Sequence, residues 1–245
     1  MTVTAPDRPG LYRLLAWLSP AFPTGAFSYS HGLETAAADG SVRDRATLEG
    51  WIAAIVLRGS GRIDAAILCD AYRGAATGDR AACDAAHRRG RAYRGTAELA
   101  LESLQQGIAF EASIRAAWPA PAPRPAGGKR MSEAQPRMGE GPFPNDGACL
   151  AAAFGAAAAA AGIVLDDALL GYLQAFAANL VSAGLRLGLI GQTDGQRILA
   201  ALEPAIAAAA AAALVRGPGE FGSATFAAEL ASIAHETQYT RLFRS

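Results

Sequence analysis

Leu169, Leu173, Phe176, Leu180, Gly184 and Leu187 recur at three- and four-residue steps, which sets them on one face of a helix roughly five turns long. The same period returns at Leu48, Trp51, Ile52, Ile55 and Val56, and again at Leu101, Leu104, Ile108 and Ala112. Thr96 is placed to cap the helix carrying this last stripe, and Asp166 the helix carrying the first. From Ile198 the pattern runs through Leu202 into an alanine run ending at Leu214 and Val215, where Pro204 marks either a kink or a new helix start. No stretch alternates with the two-residue period of a strand. Helices with a single apolar face bury it only against one another, so the pattern predicts an all-α fold: one single-domain multi-helix bundle over residues 1–245.

One segment breaks the pattern. Between 119 and 147 stand Pro119, Pro121, Pro123, Pro125, Pro136, Pro142 and Pro144 among glycines and charges. That composition predicts a long, mobile Pro/Gly-rich loop that interrupts the bundle without dividing it. The rest of the chain has the means to fold, since 51% of its residues are apolar. Its 22 basic and 22 acidic residues cancel, which argues against disorder and against nucleic-acid binding driven by positive charge. Near-neutrality also weakens self-repulsion and so favours association. Cys69, Cys83 and Cys149 are odd in number and widely spaced, the pattern of reduced thiols in a cytosolic protein. Pro6, Asp7, Arg8 and Pro9 precede the first apolar turn, unlike a secretory signal. The uncharged run from Gly147 to Leu165 is mostly alanine and glycine, so it reads as a packed soluble helix and not a membrane span.

Catalytic patterns are missing. Gly127-Gly128-Lys129-Arg130 lacks both the spacing and the following Ser or Thr of a phosphate-binding loop. His31, His87 and His235 lie far apart, and Cys83 with His87 offers only two ligands, read here as a surface coincidence. No metal site or cofactor is expected. Ser28 or Ser30 beside His31 has no nucleophile elbow around it and reads as the cap of a helix starting near His31. Glu34, Glu98, Glu102 and Glu111 read as parts of a solvated face.

Two segments nevertheless look built to present side chains. In Ser19-Pro20-Ala21-Phe22-Pro23-Thr24-Gly25-Ala26-Phe27-Ser28-Tyr29-Ser30-His31-Gly32-Leu33-Glu34, the prolines stiffen the backbone and Gly25 frees it, so Phe27 and Tyr29 are held by an irregular segment. At the other end, His235-Glu236-Thr237-Gln238-Tyr239-Thr240-Arg241-Leu242-Phe243-Arg244-Ser245 gathers the aromatic and arginine side chains that anchor interfaces. The alternative is a tail docked on the protein's own core. Arg186 falls between Leu185 and Leu187 in an apolar helix. It either pairs at an interface or extends its head to solvent along its aliphatic stem.

Both segments, together with Arg186-Leu187-Gly188-Leu189-Ile190-Gly191-Gln192-Thr193-Asp194-Gly195-Gln196, resemble in wording and order the UreF family of urease accessory proteins. The resemblance implies an all-helical, commonly dimeric, cytoplasmic and non-catalytic protein that joins UreD and the GTPase UreG on apo-urease for nickel insertion. It points to Tyr239, Arg241, Phe243 and Arg244 as the UreD contact. Phe27, Ser28, Tyr29 and Glu34 would then meet UreG or a second copy. Two other roles in the same system are a GTPase activator that inserts Arg186, Arg241 or Arg244 into UreG, and a direct nickel carrier.

Overall fold

The computed structural model describes residues 9–118, 147–217 and 220–245, which form ten α-helices and one 3₁₀ turn, with no strand among the described residues. The helices are α1 (Pro9–Trp17), α2 (Leu33–Ala38), α3 (Arg45–Arg58), α4 (Ser60–Thr77), α5 (Arg80–Ala92), α6 (Ala97–Ala117), α7 (Leu150–Ala160), α8 (Leu165–Arg186), α9 (Gln192–Val215) and α10 (Phe226–His235). The all-α expectation holds. The Pro/Gly-rich loop expected at 119–147 lies outside the described residues except for Gly147.

The core is centred on α4 and α7. α4 buries Ile63, Ala65, Ile67, Leu68 and Ala71, and the alanine-rich α7 packs across it. Gly155 sets the separation of the two helices, because a Cβ there would lie 2.4 Å from the carbonyl oxygen of Leu68. Leu48, Ile52, Ile55 and Val56 of α3 and Leu169, Leu173 and Leu180 of α8 point inward as their spacing predicts. α8 and α9 are long and apolar enough, by length and composition, to cross a membrane; α8 buries half of its most apolar window within the fold and α9 a third.

Several local expectations need correction. Thr96 does cap α6, accepting from the Leu99 amide at 3.2 Å. α8, however, starts at Leu165 with Val164 at the cap position, and Asp166 sits inside the first turn, where its charge favours the helix dipole. α9 runs unbroken through Pro204. The stripe Leu101, Leu104, Ile108 and Ala112 does not face the core: Leu101, Ile108 and Ala112 are exposed and Leu104 half-buried. The inward face of α6 carries Glu102, Ser103, Gln106, Gly107 and Phe110 instead. Polar groups deeper in the fold claim that face, and at Gly107 the chain passes so close that a Cβ would meet the Ala148 carbonyl at 1.9 Å.

All three cysteines are buried and free. Burial pushes the Cys69 and Cys149 thiols up to about 11, which leaves almost no thiolate at pH 8. Reaction of these two thiols with Ellman's reagent at pH 8 is expected to run about 100-fold or more slower in the folded protein than in guanidinium. Measuring thionitrobenzoate release under both conditions checks this.

Candidate functional site

The N-terminal segment is pinned at its start and at its end. Phe22 packs on Phe110 and Trp118, with ring centroids 5.4 and 6.3 Å away. Gly25, at φ +75°, turns the chain into the 3₁₀ turn Ala26–Ser28, which leaves Phe27 67% exposed. Tyr29 faces inward instead, donating to Gln105 Oε1 at 2.8 Å while its carbonyl accepts from Asn179 Nδ2 at 3.3 Å. Burial raises its hydroxyl above the usual tyrosine value, and the nearby Arg244 guanidinium partly offsets that. His31 is in the left-handed region at φ +55°, and α2 begins only at Leu33 behind Gly32. The expected cap from Ser28 or Ser30 is therefore not at the helix start, although Ser30 Oγ does reach the Glu34 amide at 3.4 Å. A Cβ at Gly32 would lie 2.7 Å from the Ser232 amide nitrogen, so α2 and α10 meet almost backbone to backbone.

The C-terminal tail closes on this segment. The Arg244 amide donates to the Ser28 carbonyl at 2.8 Å, and the Ser30 amide to the Ser245 carbonyl oxygen at 2.7 Å, a short ladder between residues 28–30 and 244–245. Phe243 is buried, with the Arg186 guanidinium 4.4 Å above its ring, and Arg186 also donates to the Phe27 carbonyl. Arg186 thus does both things its sequence position allowed. Its head is at the surface, and it ties the loop to the tail through a cation–π contact and a hydrogen bond.

Beneath this clasp lies a layer of ionisable groups. Glu34 accepts from the amides of Leu242 at 2.6 Å and Phe243 at 2.9 Å, and its Oε2 faces His235 Nε2 at 3.2 Å. His235 Nδ1 faces Glu98 Oε2 at 2.7 Å, and the other oxygen of Glu98 accepts from Arg241 at 2.5 Å. One turn along α6, Glu102 meets His31 Nε2 at 3.0 Å, Gln106 Nε2 at 2.8 Å and Ser245 Oγ at 3.0 Å. A cavity of about 30 Å³ separates His31 and Glu102 from a second buried cluster. There Asp64 pairs with Arg94 and accepts from the Tyr172 hydroxyl at 3.0 Å. Burial works against the Arg94 charge, but the Asp64 carboxylate more than compensates and raises its pKa. On the other side of His31 a cleft of about 280 Å³ opens between Ser60, Arg94, Thr225 and Glu229.

The carboxylates are therefore not a solvated face. Glu34 and Glu102 are buried, and Glu98 and Glu111 half-buried. Nor are Cys83 and His87 a surface coincidence. Both are buried, with Cys83 Sγ directed at the Ala71 carbonyl and His87 Nδ1 accepting from the Cys149 amide at 3.0 Å. Among the described residues, no group of three or more His, Cys, Asp or Glu is placed to hold a metal ion.

The residues singled out in the sequence fall into two sets. Phe27, Tyr239, Arg241 and Arg244 are exposed, Tyr239 completely. Tyr29, Glu34 and Phe243 are buried, Ser28 is half-buried, and Arg186 bridges loop and tail at the surface. Sequence reasoning named Leu242, 61% exposed beside them, only as part of the tail, and set His31, His235, Glu98 and Glu102 aside without seeing that they pair. The i, i+4 spacing of Glu98 and Glu102 shows that they share a helix face, but not which histidines they would meet.

Comparison with known proteins bears on this arrangement. The UreF family model matches residues 42–203. The urease accessory protein UreF of Rhodopseudomonas palustris (strain BisB18) is 43% identical over 243 residues, covering 99% of this chain and 95% of that protein. UreF of Granulibacter bethesdensis is 46% identical over 235 residues, covering 96% of this chain and 94% of that protein. UreF of Azorhizobium caulinodans is 44% identical over 237 residues, covering 97% and 96%. The loop and tail lie outside the family-model match but within the near-full span of the alignment with the Rhodopseudomonas protein.

Proposed function

We propose, since this chain belongs to the UreF family of urease accessory proteins and so has a role in urease maturation, that it works as a non-catalytic scaffold bridging UreD and the GTPase UreG. In this reading it acts in the cytoplasm as a homodimer, engages neither membrane nor nucleic acid, and supports nickel insertion into apo-urease. The observation that carries the proposal is the clasp. Segments at opposite ends of the sequence meet on one surface and expose Phe27, Tyr239, Arg241, Leu242 and Arg244 side by side with a buried framework of Tyr29, Glu34 and Phe243. Exposed aromatic and arginine groups on a rigid base are suited to anchoring a partner. Tyr239, Arg241 and Arg244 then meet UreD, with Phe243 and Arg186 holding them in place, and Phe27 with the adjoining loop meets UreG. The outward stripe Leu101, Ile108 and Ala112 supports a second copy as its cover.

The arginine-finger reading rests on Arg244, the exposed arginine beside the Tyr29 hydroxyl, since Arg186 and Arg241 are held within the clasp by Phe243 and Glu98. Both readings are tested together by light scattering after gel filtration of the chain with UreD, UreG and guanine nucleotide, alongside UreG turnover. Tyr239→Ala is expected to weaken UreD binding about 30-fold, the size of an interface hot spot, without unfolding a protein in which that side chain touches only solvent. Arg244→Ala that leaves the assembly intact but abolishes acceleration of GTP hydrolysis would replace the scaffold with the activator. Absence of any assembly with the unmodified chain would remove both.

A further inference from the structure

His235 is completely buried, and each of its ring nitrogens faces a carboxylate oxygen, Glu34 at 3.2 Å and Glu98 at 2.7 Å. A neutral imidazole has one N–H and one lone pair, so it can satisfy only one of these two contacts. The other would set a lone pair against a carboxylate with no water to separate them. Both carboxylates are already in the company of donors that favour the anion. Glu34 accepts from the amides of Leu242 and Phe243, and Glu98 accepts from Arg241. The exposed Glu236 carboxylate, which accepts from the Ala97 amide at 2.8 Å, adds a further negative charge on this side that a cationic ring offsets. With an imidazolium, two cations (His235 and Arg241) balance the two anions Glu34 and Glu98, and each ring nitrogen donates. His31 makes an instructive contrast. Its Nε2 faces Glu102, but its Nδ1 faces Ser60 Oγ at 3.3 Å, a hydroxyl that can donate or accept, so neither form of that ring is excluded.

We propose that His235 is held doubly protonated between Glu34 of α2 and Glu98 of α6, and that this imidazolium is the latch that keeps the C-terminal tail docked. Glu34 is the shared element. The same carboxylate that receives the ring proton receives the amides of Leu242 and Phe243, so one event unfastens both. When the ring gives up either proton, a charge-assisted bond becomes a repulsive contact, Glu34 and Glu98 share only Arg241 as counter-charge, and the tail lifts from α2. Any partner that captures the exposed tail residues competes with this latch, and any partner that needs the docked tail depends on it. The inference concerns the isolated chain and stands whatever the tail binds.

The test has two readouts on the unliganded protein. Long-range proton–nitrogen correlation spectra of histidine-labelled protein near pH 7 are expected to show both His235 nitrogens as N–H, assigned by the signals absent from His235→Gln. An unprotonated nitrogen on this ring overturns the proposal, and the measurement does not need His235→Gln to be stable, because the His235 signals are also those left after His31→Gln and His87→Gln have each removed their own. Tryptic cleavage after Arg241 reports tail docking. His235→Gln, which retains a single amide donor group, is expected to speed that cleavage about tenfold or more at a temperature well below its cooperative melting transition. A tail as protected in His235→Gln as in the unmodified chain overturns the latch.

Discussion

Asp64→Ala is expected to lower the melting temperature by about 6–20 °C, the consequence of losing about 3–5 kcal/mol in a chain of this size. The cost arises from what remains. Arg94 is almost wholly buried, and Asp64 is the charge that keeps it ionised there. Removing the carboxylate leaves a guanidinium in a low-dielectric interior with the Gly90 carbonyl as its other partner, and leaves the Tyr172 hydroxyl without its acceptor. Replacing both charges by apolar side chains, as in Asp64→Leu with Arg94→Met, is expected to recover most of the loss, because the penalty belongs to the unpaired charge and not to the absent bond. Calorimetric melting of the two single variants and the double variant, treated as a cycle, checks this; equal losses that simply add would contradict it. The pair lies just across the small cavity from His31 and Glu102, so loosening it also undermines the floor on which the tail rests.

Gly155→Ala is the second large effect, expected to cost about 3 kcal/mol and about 6–12 °C in melting temperature. Helix propensity alone argues the other way, since alanine in a helix interior is about 1 kcal/mol better than glycine. Packing decides the sign. The new methyl would stand 2.4 Å from the Leu68 carbonyl oxygen and 3.1 Å from its carbonyl carbon, both backbone atoms of the helix at the centre of the core, so the two helices must move apart. Gly50 of α3 is the control. No atom lies within 4 Å of a Cβ built there, so Gly50→Ala is expected to stabilise the chain by up to about 1 kcal/mol. Thermal melts of both variants show whether contact or propensity governs; a stabilised Gly155→Ala would mean that α4 and α7 are not in backbone contact.

Much of the site was legible one residue at a time and not as an arrangement. Phe27 and Tyr239 were recognisable as side chains a rigid loop and an aromatic-rich tail would present, and both are exposed. Tyr29 and Phe243, chosen by the same reasoning, are buried, because residue type does not say which of two neighbouring aromatics in an irregular segment turns inward. Arg186 stood out as a charge in an apolar helix, and the two partners that tie loop to tail, Phe27 and Phe243, lie far from it in sequence. The acidic residues were misread for the same reason. Glu34 and Glu98 have no local feature that announces His235, so a solvated face was the cheaper reading until the chain ends were seen together.

The stripes in α3 and α8 and the absence of any alternating stretch determined by themselves that the chain is helical, since a 3.6-residue period is a local property that no tertiary contact has to supply. The loop, the tail and the segment after Arg186 carried the family resemblance in the same way, as wording alone. Tertiary structure decided the rest. The polar layer took the inward face of α6 and turned Leu101 and Ile108 outward, and Gly155 became a contact point because α4 crosses there. It also made Glu34 the keystone of the tail. These outcomes depend on pairing groups more than 200 positions apart. In a buried site a charge persists only where its partner is, and that partner is chosen by the packing of whole helices, not by spacing along the chain.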